Sequence, residues 1–136
     1  MIKASILGAT GYAGIELIRL LHAHPKVKIL HMTSQTYNGK AISEVYPNFL
    51  SVSDDICVER DLAEISEQSD IVFVSLPHGV SAETVSKLRQ GNCRVIDLSG
   101  DFRYKSVSTY EKWYNIKHSC PEILNESVYG LPEFYR

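Results

Sequence analysis

Residues 2 to 22 constrain this chain more than any other stretch. Ile2-Lys3-Ala4-Ser5-Ile6-Leu7 is an apolar, strand-like run, and GATGYAG at residues 8 to 14 then sets glycines at every third position. From Tyr12 to His22 the pattern is helical: Leu17, Ile18 and Leu21 share one face, Glu16, Arg19 and His22 share another, and Pro25 forces the chain out of helix. A second apolar run, Val27 to Met32, follows at once, so the segment reads as strand, crossover helix and parallel strand.

The rest of the chain repeats the alternation. Ile71-Val72-Phe73-Val74-Ser75-Leu76 is nearly continuous in its apolar character, as strands covered on both faces are, and Val95 to Leu98 forms another such run. Ile56-Cys57-Val58 is a weaker candidate for an edge strand. Asp61 with Glu64 has the form of a capping box before one helix, and Ser81 has the form of a cap on a second that ends at Arg89 and Gly91. Strands and helices in strict alternation predict an α/β fold, a Rossmann-like doubly wound parallel sheet in three α/β/α layers. The expected order of five strands is third, second, first, fourth, fifth. Tyr110, Trp113 and Tyr114 predict a short aromatic-faced helix, and 121–136 reads as irregular chain with a helical turn.

A length of 136 residues with 44% hydrophobic and 22% charged side chains suits one domain with a real core. Fourteen basic against sixteen acidic groups leave a formal charge of −2, which offers no basic surface to nucleic acid or anionic lipid. Neither is expected as a partner. The N-terminal run carries no basic leader and is too short for a signal peptide or a membrane span, so a cytoplasmic protein is expected. Cys57, Cys93 and Cys120 fall in no C-x-x-C or metal spacing and read as reduced thiols. No metal site is expected.

Three glycines between a strand and a helix can serve a turn alone, by permitting unusual backbone angles. In a βαβ unit they have a further use, because a dinucleotide pyrophosphate sits on the N-terminus of the helix they open. Gly8 then makes the turn, Gly11 lets backbone approach phosphate, Gly14 lets helix approach sheet, and Thr10 adds a hydroxyl. The spacing G-x-x-G-x-x-G is one residue longer than G-x-G-x-x-G, so the match is in mechanism. After the second strand, His31-Met32-Thr33-Ser34-Gln35-Thr36 holds no carboxylate to grip a ribose 2′-hydroxyl or repel a 2′-phosphate. Ser34 and Gln35 can donate to that phosphate and Lys40 can add charge; an ordinary polar loop is the other reading.

Ligands of such sheets lie off the carboxyl ends of the strands, which here carry Pro77-His78-Gly79 and Ser99-Gly100-Asp101-Phe102-Arg103. Chemistry alone leaves His78 as a loop residue and Asp101 with Arg103 as a local ion pair. Together, however, GATGYAGIEL, SLPHG, VIDLSGDFR and YGLPE occur in the order in which the N-acetyl-gamma-glutamyl-phosphate reductases of arginine biosynthesis carry them, and the chain resembles that family over nearly its whole length.

The resemblance implies an NADP-dependent oxidoreductase that reduces the small-molecule acyl phosphate N-acetyl-glutamyl 5-phosphate to the semialdehyde. It implies that residues 1–136 are the dinucleotide-binding domain, cut before a catalytic and dimerisation domain that makes the full-length protein a homo-oligomer. Carried onto this chain, Gly8, Thr10, Gly11, Tyr12, Ala13 and Gly14 would hold the pyrophosphate, and Ser34 with Gln35 the 2′-phosphate. Leu76, Pro77, His78, Gly79 and Ser99 would border the nicotinamide half. Arg103 and the Tyr129 to Glu133 segment would lie towards substrate. Many members have arginine where this chain has Gln35, so a modest NADP preference is expected. The family's nucleophilic cysteine, in a Gly-Cys-Tyr-Pro context, and its histidine base do not occur here. Residues 1–136 are thus expected to contain no catalytic residue, with Cys120 beside His118 as the weaker alternative nucleophile. A lysine-pathway aminoadipyl phosphate reductase, aspartate-semialdehyde dehydrogenase (against which DLSGDFR argues) and a non-catalytic nucleotide-binding module remain as alternatives.

Overall fold

The structure is a computed structural model that describes residues 1–134; Tyr135 and Arg136 of the expected irregular tail lie outside the described residues. Strands β1 (Ile2–Leu7), β2 (Val27–Thr33), β3 (Ile71–Val74) and β4 (Arg94–Asp97) alternate with helices α1 (Tyr12–His22), α2 (Ile42–Val45), α3 (Leu62–Gln68), α4 (Ser81–Leu88) and α5 (Val107–Tyr114). Every strand pair is parallel, in the order β2-β1-β3-β4.

Because side chains alternate across a strand, β1 feeds two cores. Ile6 joins Ile18 of α1, Met32, Ile42, Phe49 and Cys57 on one face. Leu7 joins Ile65 of α3, Val72, Val74, and Val85 and Leu88 of α4 on the other. Helices on both faces make the doubly wound, three-layer α/β arrangement. Ser5, fully buried on β1, satisfies its hydroxyl with that of Ser69 at 2.7 Å.

The fifth strand is a correction: Ile56-Cys57-Val58 does not extend the sheet. Val58 N–H does donate to Met32 O of β2 at 3.0 Å, so the segment lies at the expected edge. On its other side Cys57 pairs with the preceding turn, its N–H donating to Lys40 O and its carbonyl accepting from Gly39 N–H. With those groups turned towards residues 39–41, one antiparallel bridge, Ala41 to Ile56, is all that forms.

Two caps also differ from expectation. Asp61 accepts from Ala63 N–H at 2.7 Å and caps α3, but Glu64 reaches Arg60 at 3.0 Å instead of closing the box. Ser81 is the first residue of α4 and donates its hydroxyl to Asp97 at 2.6 Å, so the cap of α4 comes from elsewhere. On α5 Tyr110 is buried while Trp113 is exposed, so the aromatic face is narrower than its spacing predicts. The helical turn expected in the tail is the 3-10 turn Pro121–Ile123. α2 and the 3-10 turn Pro47–Phe49 were not expected; both are too short to carry a periodic pattern.

The Asp61 cap is exposed and local. Asp61→Ala should lower stability by about 1 kcal/mol without altering the sheet, measured as a shift of the urea midpoint at unchanged slope.

Candidate dinucleotide site

β1 ends in a turn that only a glycine can make here. Gly8 has φ +77°, and a Cβ on it would lie 2.2 Å from Ser75 O, so the loop after β1 presses directly on the backbone that follows β3. Gly14 is equally constrained, since a Cβ there would meet Gly8 O at 2.3 Å and Ala9 O at 2.7 Å. Gly11 differs. Its φ is −77°, and the nearest heavy atom to an added Cβ is Gly8 O at an ordinary 3.5 Å. The fold itself therefore demands glycine at two of the three positions, and the third leaves open space over the start of α1.

That start is electrostatically unanswered. Gly11 is the N-cap, no side chain accepts from the first turn, and no acidic residue lies in it. Asp61 caps α3 and Ser106 caps α5, while Asp101 serves α4 with Ala82 N–H donating to it at 2.9 Å. Among the described helices of seven or more residues, α1 alone presents its positive end without a side-chain acceptor. An open cradle at an uncapped helix N-terminus fits a pyrophosphate. Tyr12 and Ala13 are exposed there, Tyr12 at 96%.

The other expected residues gather on the same sheet edge. Ser34 is buried, its hydroxyl 2.7 Å from Thr10 Oγ1 and accepting from Tyr37 N–H at 3.2 Å, so the loop after β2 is tied to the glycine loop. Tyr46, which sequence reasoning missed, donates its hydroxyl to Thr10 O at 2.6 Å. Gln35 and Lys40 are exposed beyond Ser34. Leu76 lies against Gly8, its Cδ2 3.2 Å from where a Cβ would stand, and leads into exposed Pro77, His78 and Gly79. The His78 ring rests on Tyr114 with centroids 5.1 Å apart.

Ser99 is less free than a cofactor contact would be, since its hydroxyl donates to Asp97 at 2.7 Å and accepts from Asp101 N–H at 3.1 Å. The expected Asp101–Arg103 ion pair is absent. Asp101 is fully buried and accepts from Gly79 N–H at 2.8 Å and Tyr110 O–H at 2.8 Å, whereas Arg103 lies over the Tyr129 ring at 5.6 Å. Burial, reinforced by the bond to Asp101, pushes the Tyr110 hydroxyl well above its ordinary value and keeps it a donor.

A family model described as the NAD-binding domain of semialdehyde dehydrogenase matches residues 3–136. The chain belongs to that family. It is 46% identical over its whole length to the N-acetyl-gamma-glutamyl-phosphate reductase of Acetivibrio thermocellus and 48% identical to that of Halothermothrix orenii, and it spans 39% of the length of each. Among solved structures, aspartate semialdehyde dehydrogenase with NADP from Candida albicans superposes with a TM-score of 0.62 at 22% identity, covering 79% of this chain and 32% of that one. A 3-ketoreductase from Actinomadura kijaniata in complex with NADP gives 0.56 at 17% identity, covering 92% of this chain and 36% of that one. These two likenesses establish the fold.

In this NAD-binding domain no cysteine is placed as a nucleophile. Cys57 is fully buried, and burial, with a smaller push from the Asp55 carboxylate, raises its thiol above the ordinary range. Cys93 Sγ is 3.5 Å from Ser66 Oγ, beside the end of α4. Cys120 is buried with Ala82 and Ile123. Its neighbour His118 has both ring nitrogens engaged: Nε2–H donates to Asp101 O at 2.8 Å and Nδ1 accepts from Cys120 N–H at 3.1 Å. A ring so held cannot take the thiol proton, so the weaker alternative of a Cys120 nucleophile lacks its base. Among the described residues no group of three or more His, Cys, Asp or Glu side chains could hold a metal ion.

The glycines provide a contrast that separates fold from ligand. Gly14→Ala should cost roughly 3 kcal/mol because the methyl meets backbone. Gly11→Ala should change stability by less than about 1 kcal/mol while weakening dinucleotide binding, with urea titration and cofactor titration as the paired measurements.

Proposed function

We propose that this chain is the NADP-binding domain of an N-acetyl-gamma-glutamyl-phosphate reductase, in which residues beyond the first 136 supply the catalytic and dimerisation domain. The observation that carries the binding half is the open Gly11 cradle at the uncapped start of α1. The substrate rests on the relatives, eight of which bear that name at 43–48% identity.

In this reading the first-turn N–H groups of α1 and Thr10 hold the pyrophosphate, while Ser34 and Gln35, with Lys40 near, receive the adenosine 2′-phosphate. Leu76, Pro77, His78, Gly79 and Ser99 border the nicotinamide half, and Arg103 lies towards the substrate. The bound dinucleotide supplies hydride to an acyl group. This chain's residues bind and orient, because a thiolate and its base, needed to make a reducible acyl group from an acyl phosphate, are not assembled among its described side chains. The soluble, small-molecule chemistry suits the cytoplasm, and no described helix is long and apolar enough to cross a membrane.

Three outcomes follow for the full-length protein. It should oxidise N-acetyl-glutamate 5-semialdehyde with NADP and phosphate, and a preference for aspartate semialdehyde would overturn the substrate. Calorimetry should show NADPH bound about fivefold more tightly than NADH, the ~1 kcal/mol of a few neutral hydrogen bonds to the 2′-phosphate, and equal affinities would refute the Ser34–Gln35 role. Cys120→Ser should leave kcat within about twofold of wild type, whereas a nucleophile would lose orders of magnitude.

A further inference from the structure

The turn between β3 and α4 has little of its own to hold it. Pro77, His78, Gly79 and Val80 are all exposed, and Val80, the N-cap of α4, offers no side-chain acceptor. Within the turn, Val80 N–H donates to Pro77 O at 3.2 Å. The His78 ring rests on Tyr114 and the Thr84 hydroxyl donates to Val80 O at 3.3 Å, but the anchor of the turn's backbone amides is a carboxylate from a different loop: Asp101 accepts from Gly79 N–H at 2.8 and 3.0 Å and from Ala82 N–H at 2.9 Å.

Asp101 is itself immobilised. It is fully buried, its carboxylate accepts from Tyr110 O–H at 2.8 Å, its N–H donates to Ser99 Oγ at 3.1 Å and its carbonyl accepts from His118 Nε2–H at 2.8 Å. At the turn's other end Ser75 and Leu76 press on Gly8. The turn is wedged between the glycine loop and one buried charge.

We infer that Asp101 is a positioning residue for the nicotinamide half of the dinucleotide site, acting through the Gly79 and Ala82 amides on the Pro77–Gly79 turn. This rests on the binding reading above, in which that turn borders the nicotinamide. A charge-assisted acceptor shared by two backbone donors fixes the turn's direction, and a neutral one fixes it less firmly. The adenosine half, held by the Ser34 loop on the far side of the glycines, does not feel the change. A plain helix cap would instead affect both halves alike, through stability.

The test titrates the full-length protein with NADPH and with adenosine 2′,5′-bisphosphate, which carries the adenosine half alone. Asp101→Ala removes the acceptor, and NADPH affinity should fall on the order of tenfold while the bisphosphate stays within about twofold. Asp101→Asn keeps size and one acceptor oxygen and should show the same split at roughly threefold. Should the alanine variant fail to fold, the asparagine variant decides. Amide exchange at Gly79 and Ala82 should quicken in Asp101→Asn while Ile15, on α1, keeps its rate. Equal loss of both ligands, no loss of either, or unchanged exchange at Gly79 overturns the proposal. Wild type that binds neither ligand overturns the binding reading instead, and the exchange result still judges the positioning.

Discussion

A carboxylate removed from water must have its charge met by protein donors, and the fully buried Asp101 obliges three separate parts of the chain to converge on it. The turn after β3 contributes Gly79 N–H, α4 contributes Ala82 N–H, and α5 contributes the Tyr110 hydroxyl. Each of these contacts joins Asp101 to a different part of the chain, and together they set where α4 starts and how α5 lies against the sheet edge. Asp97 does the same one turn earlier, receiving Ser81 O–H at 2.6 Å and both donors of Ser99. The stretch Asp97 to Asp101 is thus a polar frame beneath the exposed loops.

The frame matters because of how helix N-termini are distributed around a parallel sheet. Each strand delivers its chain to the same edge, so the helix starts cluster there and their partial positive charges add. A second anion site at α4 is closed off by Asp101, and Asp61 and Ser106 answer α3 and α5. α1 is left unanswered, with Gly11 opening the space before it. One helix start without a side-chain acceptor stands beside three that have one, and in the proposed reading it is there that the anionic ligand binds.

Much of this was readable from residue order. Apolar runs of strand length gave β1 to β4, helical spacing gave α1 with both its ends, and the glycine triplet together with the Ser34, Leu76–Gly79 and Ser99 loops named the residues that gather on one edge. The misses share a cause. Ile56-Cys57-Val58 has strand-like residues, but only Val58 N–H bonds to β2, while Cys57 pairs on its other side with the 39–40 turn. Ser81 has the chemistry of a cap, but its hydroxyl donates to Asp97, and a carboxylate from twenty residues on meets the Ala82 amide instead. Asp101 and Arg103 invite a local ion pair, but one side chain turned into the core and the other onto Tyr129.

Sequence by itself therefore determined the alternation of strands and helices, the glycine turn, the absence of a carboxylate after β2 and, through four motifs, the family. These are properties of neighbouring residues, and steric limits on the backbone and the period of apolar side chains act at that range. The tertiary structure alone decided which donor meets which acceptor across distant loops: Tyr46 on Thr10, Ser34 on Thr10, Asp101 on Gly79. A hydroxyl or carboxylate is satisfied equally well by many partners, so its choice is made by what the packed layers bring within 3 Å, and that distance exists only once the sheet has formed.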